Sequence, residues 1–312
     1  MNVTDLSQAL HRRQRVYISR ASDAAAQLWA GVDGADIAGT WAPQVARTVG
    51  MVASGKRYAA SGVTDYTSGM LRLQGVVPEP AGTVQADAFG ASASDGRPLG
   101  SLLYMPAVHS QQALAAGVDE ATALQVGLSS LQMIVSTEVA DAGRSAVGVA
   151  MVSDPHVTGF IRVPSGSACD VCAVLAGAWY STEDAAEFER HPGCGCTAAP
   201  AADSESIAPA MSSPDAYFQS LSAERQDQVF GQADAQAIRD GADMSQVVNT
   251  HRGISAPRQW TTTEGTTKSG VYGGYTVAGQ AGKARMTPEG IYALSSTRDE
   301  ALSLLRQYGY LR

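Results

Sequence analysis

Four cysteines and one histidine form a compact constellation with the spacing of metal ligands, Cys169-x2-Cys172-x18-His191-x2-Cys194-x-Cys196. A Cys-x2-Cys turn places two thiolates on one side of a tight knuckle, so that both can reach a single tetrahedral ion. The second knuckle adds an imidazole and two thiolates, and its proline and glycines let the backbone curl around a metal. The spacing predicts a structural zinc site with five candidate ligands for four positions.

The pattern leaves alternatives open for these side chains. Cys169 and Cys172 are predicted as one ligand pair, while His191, Cys194 and Cys196 compete for the other two positions. Disulfides and a redox-active pair are the competing interpretations. A chain made and used in a cytoplasm stays reduced, and no βαβ pattern surrounds the first pair. Because five candidates favour a closed metal shell, we predict no catalytic residue and no further cofactor-binding residue.

Length, composition and charge restrict the class of protein. The 312 residues are enough for two or three hydrophobic cores. The first 15 residues have no apolar run behind their charges, so we expect no secretory signal. The longest apolar stretch, 146–152, is too short to cross a bilayer. A net charge of −8 argues against a protein that coats nucleic acid. We interpret the basic cluster of Arg12, Arg13, Arg15 and Arg20 as a solvated helix face, with contact to DNA or an acidic partner as the alternative.

Hydrophobic periodicity predicts helices ahead of the cysteines, over 4–30, 41–74, 101–117 and from 119 to about 142. Residues 157–163 (VTGFIRV) have a β-like pattern and lead directly into the cysteine segment. After the cysteines we predict a linker over 197–213 and then helices over 214–240 and 243–250, the first of which begins at Ser213-Pro214. Residues 253–286 are predicted to be irregular or short-stranded. The tail is predicted to be a helix that begins with a Thr297/Glu300 capping box and ends at Gly309.

These elements predict a mainly α fold with a small α+β module braced by zinc, in an elongated chain of several segments. The predicted regions are an N-terminal helical region (1–98), a helical hairpin plus the Cys/His metal-binding module (99–200), a linker with helices (201–252), and a Gly/Thr-rich segment with a C-terminal helix (253–312).

The run Ser153-Asp154-Pro155-His156 holds the three residue types of a hydrolytic triad. Triads are assembled in space, and their members rarely lie so close in sequence. We therefore predict that this run forms a turn. The chain also contains no G-x-S-x-G and no H-E-x-x-H motif.

The cysteine segment carries a family likeness in the order of its motifs. Cys169-x2-Cys172 is followed by the aromatic and acidic run 179–183 (WYSTE), and then by 191–197 (HPGCGCT), closed by Pro200. This order resembles the MuF-like domain of the minor head, or head-morphogenesis, proteins of tailed bacteriophages. Later segments also resemble actinobacterial phage members, among them 237–243 (AIRDGAD) and 286–292 (MTPEGIY). The resemblance covers roughly residues 100 to 312.

The resemblance implies a virion component of few copies, assembled in the host cytoplasm and incorporated near the portal while the procapsid forms. Its implied partners are the portal protein and the major capsid or scaffold protein. DNA is a weaker partner, and no membrane is involved. A structural role in head assembly is the primary hypothesis. The alternative is a capsid maturation protease, a label that related proteins carry.

Overall fold

Helices dominate the structure. The computed structural model describes residues 2–165, 168–183, 194–207, 213–251, 260–263 and 285–311. Its helices are α1 (Val3–Trp29), α2 (Ile37–Ala60), α3 (Val63–Leu73), α4 (Leu99–Ala115), α5 (Glu120–Ser153), α6 (Asp170–Val174), α7 (Ser204–Ile207), α8 (Pro214–Ser220), α9 (Ala223–Phe230), α10 (Gln232–Arg239), α11 (Met244–Asn249), α12 (Pro288–Leu294) and α13 (Arg298–Gln307). Its strands are β1 (Gly159–Val163), β2 (Trp179–Ser181), β3 (Thr197–Ala201), β4 (Thr261–Thr262) and β5 (Arg285–Met286).

The chain divides into two units. The first unit comprises Met1–Ser165 and Ala178–Met211, and the second comprises Gly166–Gly177 and Ser212–Arg312. The first unit contains α1 to α5, α7 and the sheet of β1 to β3, while the remaining elements belong to the second. The predicted fold class, mainly α with a small sheet region, is confirmed.

Two tryptophans form the centre of the helical core in the first unit. Trp29 on α1 and Trp41 on α2 meet edge to face, with ring centroids 4.9 Å apart. Each indole N–H donates to a backbone carbonyl of another helix, from Trp41 to Leu103 and from Trp29 to Leu124, both at 3.0 Å. A buried tryptophan can thus desolvate its ring without leaving its N–H unsatisfied. These bonds connect α1 and α2 to α4 and α5.

The predicted helix boundaries hold at the N-terminus and shift further on. The helix predicted over 4–30 is confirmed as α1. The helix predicted over 41–74 divides into α2 and α3, because Gly62 has a φ of +65°, a left-handed conformation that ends a helix. The helix predicted to end near 142 continues to Ser153. Gly143 lies inside it, where a Cβ would press on Gln14, so this glycine serves close helix packing.

A small antiparallel sheet follows α5, in the order β2-β1-β3. Ile161 of β1 lies opposite Trp179 of β2 and Ala199 of β3. The linker predicted from 197 is wrong for β3, because Thr197–Ala201 pairs with β1 along its whole length. Ala and Pro are typical of linkers, yet β3 pairs with β1 alone, and an edge position tolerates Pro200.

Helix caps and a buried arginine stabilise the second unit. The predicted start at Ser213-Pro214 is confirmed, since the Ser213 side chain accepts from the backbone N–H of Ala216. At the tail helix, Thr297 accepts from the N–H of Glu300, but the Glu300 carboxylate accepts from Ser296 instead of closing the box. The guanidinium of Arg285 is fully buried, 4.5 Å from the ring centroid of Tyr310.

Candidate metal centre

The segment 194–196 is held in place in the first unit from two sides. Cys196 directly precedes β3, which the backbone ladder fixes against β1. On the other side, the guanidinium of Arg144 on α5 donates to the carbonyl of Cys194 at 2.5 Å and to the carboxylate of Asp141 at 2.6 Å. A bidentate guanidinium between a carboxylate and a carbonyl sets the orientation of both. The position of the second cysteine knuckle therefore depends on the long helix α5.

Three of the predicted ligands are buried thiols. Cys194 and Cys196 of the first unit are buried, and their Sγ atoms lie within 4.8 Å of each other. This pair can supply two ligands to a metal ion. Cys172 on α6, which belongs to the second unit, is buried as well. Each of the four cysteines is present as a thiol. Buried thiolates suit soft or borderline metals such as zinc, so the donor set fits the predicted class of ion.

The other two predicted ligands have different positions. Cys169 is the N-cap residue of α6 and is half-buried. His191 falls outside the described residues, so its role as a ligand stays a prediction.

Three arginines and a histidine shape the electrostatics around Cys194 and Cys196. Arg162 of β1 is buried, with its Nε donating to the Tyr180 hydroxyl at 3.3 Å. Burial opposes its charge, yet the Tyr180 hydroxyl and Cys196 raise the pKa of Arg162, so the guanidinium stays charged. A cation beside a cysteine favours the thiolate, the form that binds metal.

The histidine is His11 on α1. Burial lowers the pKa of His11, and the charges of Arg15 and Arg144 lower it further, so its imidazole is neutral at pH 7. His11, Arg15 and Arg144 line a cavity of about 150 Å³ whose remaining wall includes 194–196. The first unit thus surrounds its two cysteines with cationic side chains and one neutral imidazole.

The sequence interpretation did not single out the groups around the cysteines. For Arg162 the sequence offers one indication, because it is a charged residue inside the apolar run 157–163. Arg144 had none, because it lies 50 residues from Cys194 in sequence. His11 is further still, on the first helix. Only packing of α1 and α5 brings these side chains to the cysteine segment.

The run Ser153 to His156 forms a turn, as predicted. The Ser153 hydroxyl donates to the carbonyl of Ala150 at 2.9 Å, back into its own helix. Asp154 is buried and caps the turn, accepting from the N–H of His156 at 3.0 Å and from that of Glu79 at 2.9 Å. A serine–histidine contact occurs elsewhere, where His109 Nδ1 lies 2.7 Å from the Ser130 hydroxyl and joins α4 to α5.

Fold and site together define a class: a helix-rich protein with a small antiparallel sheet and a buried cysteine group that can hold a metal. The family model described as VG15 protein matches residues 8–223, more than half of the chain. The chain therefore belongs to the VG15 protein family, a family of viral proteins. No curated protein and no solved structure matches it. In the described ranges, no helix combines the length and the apolar character needed to span a bilayer.

Proposed function

We propose that this protein is a virion component of a tailed phage, a minor capsid protein of the MuF-like head-morphogenesis type. It acts structurally while the procapsid assembles near the portal. The observation that carries the proposal is the extent of the viral family match, residues 8–223. That range contains nearly all of α1, the other helices of the first unit and the whole cysteine segment. A viral protein whose matched range consists of a helical framework and a cysteine segment fits an assembly component.

A groove between α1 and α2 is the surface proposed for partner binding. It has a volume of about 730 Å³ and is lined by Arg20 and Arg47, with no carboxylate among its lining residues. Neither guanidinium forms an ion pair within the described part of the chain. Unpaired arginines in a groove attract carboxylates, because their planar donors match carboxylate geometry.

The shape of the groove favours a helix as its occupant. Ala24, Gly50 and Ser54 contribute small side chains to its lining, and a Cβ at Gly50 would meet no atom within 4 Å. Tyr17 and Tyr58 stack in the same groove with ring centroids 4.8 Å apart. Small residues let a third helix approach two packed helices closely, and helix-in-groove docking is a recurring recognition mode. The proposed occupant is an acidic helix of the portal, major capsid or scaffold protein.

The metal in this proposal is a structural zinc ion that braces the cysteine segment. Its candidate ligands are those that the spacing predicts, Cys169, Cys172, His191, Cys194 and Cys196, of which four would bind the ion. A zinc with four protein ligands is closed to substrate and contributes folding free energy. Its role here is to hold short turns together where the sheet alone offers little apolar area.

Mass spectrometry of mature particles tests the proposal. We expect the chain to be present, intact and in low copy. The double variant Arg20→Glu/Arg47→Glu should remain folded but be depleted from particles, since charge reversal in the groove repels an acidic helix. Arg72→Glu, an exposed arginine on α3 outside the groove, is the matched control and should be incorporated normally.

Two results would contradict this role. The first is cleavage of the cognate capsid or scaffold protein by the purified chain, abolished by His109→Ala, which would favour the maturation protease. The second is retention of the purified chain on DNA at physiological salt, which would favour a DNA-contacting role. The net charge of −8 predicts weak retention.

A further inference from the structure

A small apolar cavity lies within the first unit, between α1, α5 and the sheet. Its volume is about 160 Å³, and its apolar walls are formed by the buried side chains of Leu10, Val147, Met151 and Phe160. An apolar cavity of about 150 Å³ is large enough to bind benzene. The size and the lining of this cavity therefore suit one aromatic ring.

Contacts outside the cavity hold its walls in place. The ring of Phe160 stacks on that of Tyr180, with ring centroids 5.2 Å apart. Strand β3 contributes Ala198 to the lining, and the carbonyl of this residue accepts from the Tyr66 hydroxyl at 2.9 Å. Small-molecule sites in proteins are usually largely formed before the ligand arrives. Because these contacts do not depend on an occupant, a ligand enters this cavity without rearranging the sheet.

One polar side chain in the wall has no partner for its oxygen. Gln14 of α1 lines the cavity and is only 7% exposed. Its Nε2 donates to the carbonyl of Ala59 at 3.4 Å, which distinguishes the nitrogen end of the amide from the oxygen end. Within the part of the chain that the structure describes, no group donates a hydrogen bond to Oε1 of Gln14. A withdrawn amide oxygen without a donor costs free energy, so a ligand that brings an O–H or N–H group relieves this cost.

The other polar side chains in the lining restrict the charge of the ligand. Arg144 lies in the same wall, where its guanidinium already donates to the Asp141 carboxylate and to the carbonyl of Cys194. This cation repels a cationic ligand, and its own carboxylate partner removes the need for an anionic one. The Thr197 hydroxyl donates to a carbonyl of β1 at 3.4 Å. A neutral ligand with one donor, directed at Gln14, therefore fits the cavity best.

We propose that this cavity is a binding site for a neutral aromatic ring that carries one hydrogen-bond donor, the chemistry of a phenol. The apolar walls surround the ring, and Oε1 of Gln14 accepts the hydrogen bond from the phenolic hydroxyl. A free phenol and a tyrosine side chain share this chemistry. The residues that line the cavity belong neither to the groove between α1 and α2 nor to the predicted metal ligands, so the site is independent of the proposed virion role.

Titration of the full chain with phenol and with toluene tests the site, followed by amide chemical shifts in NMR spectra. The two compounds have nearly the same size, and only phenol has a donor. Wild type should bind phenol saturably. Gln14→Met should lower the ratio of phenol affinity to toluene affinity by at least about fivefold, the contribution of one net hydrogen bond. Toluene binding that persists in this variant shows that the cavity is intact, and Gln27→Met, at an exposed position of α1, should leave the ratio unchanged.

A glycine of α5 provides a second test, which does not touch the amide. Gly148 lines this cavity, and a Cβ added there would meet no atom within 4 Å. It lies on the helix face of Arg144 and Met151, four residues before and three after it, so a larger side chain extends into the cavity. Gly148→Leu should abolish binding of both compounds. Gly50→Leu is the matched control, because Gly50 of α2 has equally open space but lines the separate groove, and it should bind both normally.

Three results would overturn the proposal. They are a wild type without saturable phenol binding, a folded Gly148→Leu variant that still binds phenol, and an unchanged affinity ratio in Gln14→Met. Competition by N-acetyltyrosinamide then distinguishes the two sources of the ligand. Displacement of phenol by this compound identifies a tyrosine side chain of a partner as the occupant, whereas phenol binding without displacement identifies a free phenol, and both results support the site.

Discussion

Lys56 on α2 and Glu138 on α5 form an ion pair inside the first unit, with side-chain exposures of 3% and 6%. The ammonium of Lys56 also donates to the carbonyl of Ser92 at 2.8 Å. The carboxylate of Glu138 accepts from the backbone N–H of Ser94 at 3.0 Å and from its hydroxyl at 3.2 Å. One pair thus joins two helices and the connection between α3 and α4.

Removing one member of this pair is expected to destabilise the first unit strongly. Glu138→Ala leaves a buried ammonium without its counter-charge, which costs about 3–5 kcal/mol. Arg97→Ala is the control, because its pair with Asp95 is half-exposed and solvent screening leaves it little effect on stability. Urea denaturation measures both. Lys56→Met combined with Glu138→Leu should recover part of the loss, and simple additivity of the two single changes would contradict the coupling.

Two glycines of α5 should respond oppositely to the same substitution. A Cβ at Gly127 would overlap the Ser110 hydroxyl and the Trp29 ring, whereas a Cβ at Gly148 would meet no atom within 4 Å. Gly127→Ala is expected to cost about 1–3 kcal/mol through overpacking. Gly148→Ala should be neutral or stabilise by up to about 1 kcal/mol through helix propensity. Thermal unfolding of both variants distinguishes the effects, and equal shifts would contradict the packing of α1, α4 and α5.

Protein purified without oxygen is expected to contain about one zinc ion per chain. Cys194→Ser and Cys196→Ser should abolish stoichiometric binding, because each removes a thiolate of the buried group. Metal content by inductively coupled plasma mass spectrometry gives the answer. Two disulfides with no metal would contradict the site altogether.

The second unit is expected to lose stability as pH rises above neutrality. Nε2 of His251 hydrogen-bonds to the carboxylate of Asp234, and this bond raises the pKa of His251 above 6.5. Nearby Asp170 and Glu289 act in the same direction. The stabilisation is therefore complete below pH 6.5 and is lost as pH rises through the folded-state pKa. Burial raises the pKa of Asp234, opposed by its bond to His251, and the loss of stability linked to this carboxyl begins at lower pH, near the ordinary pKa of an aspartate.

Thermal unfolding between about pH 6 and pH 8.5 measures this dependence. His251→Gln should flatten the change in midpoint temperature across that interval. His156→Gln, which alters a half-exposed histidine of the first unit, is the matched control and should leave the slope unchanged. A wild-type midpoint that rises with pH over this window would show that the pair does not act as described.

The sequence by itself determined the local features of this protein. Periodicity located α1, the segment of β1 and the tail helix. Spacing alone singled out five candidate metal ligands, Cys169, Cys172, His191, Cys194 and Cys196. The turn at Ser153 to His156 was also predicted from the sequence. Each of these rests on interactions within a few residues, because helical period, caps and knuckle spacing are properties of short segments.

Which faces of the helices and strands pack together depends on the tertiary structure. Composition assigned Thr197–Ala201 to a linker, since alanine and proline carry no strand signal, and only pairing with β1 made it a strand. Nothing local marks Lys56 and Glu138 as partners, or Arg144 as a neighbour of Cys194. Helical periodicity defines an apolar stripe but not the helix it packs against, so contacts between residues far apart in sequence depend on the packing of the whole unit. The environment of the cysteines, including His11, belongs to that second category.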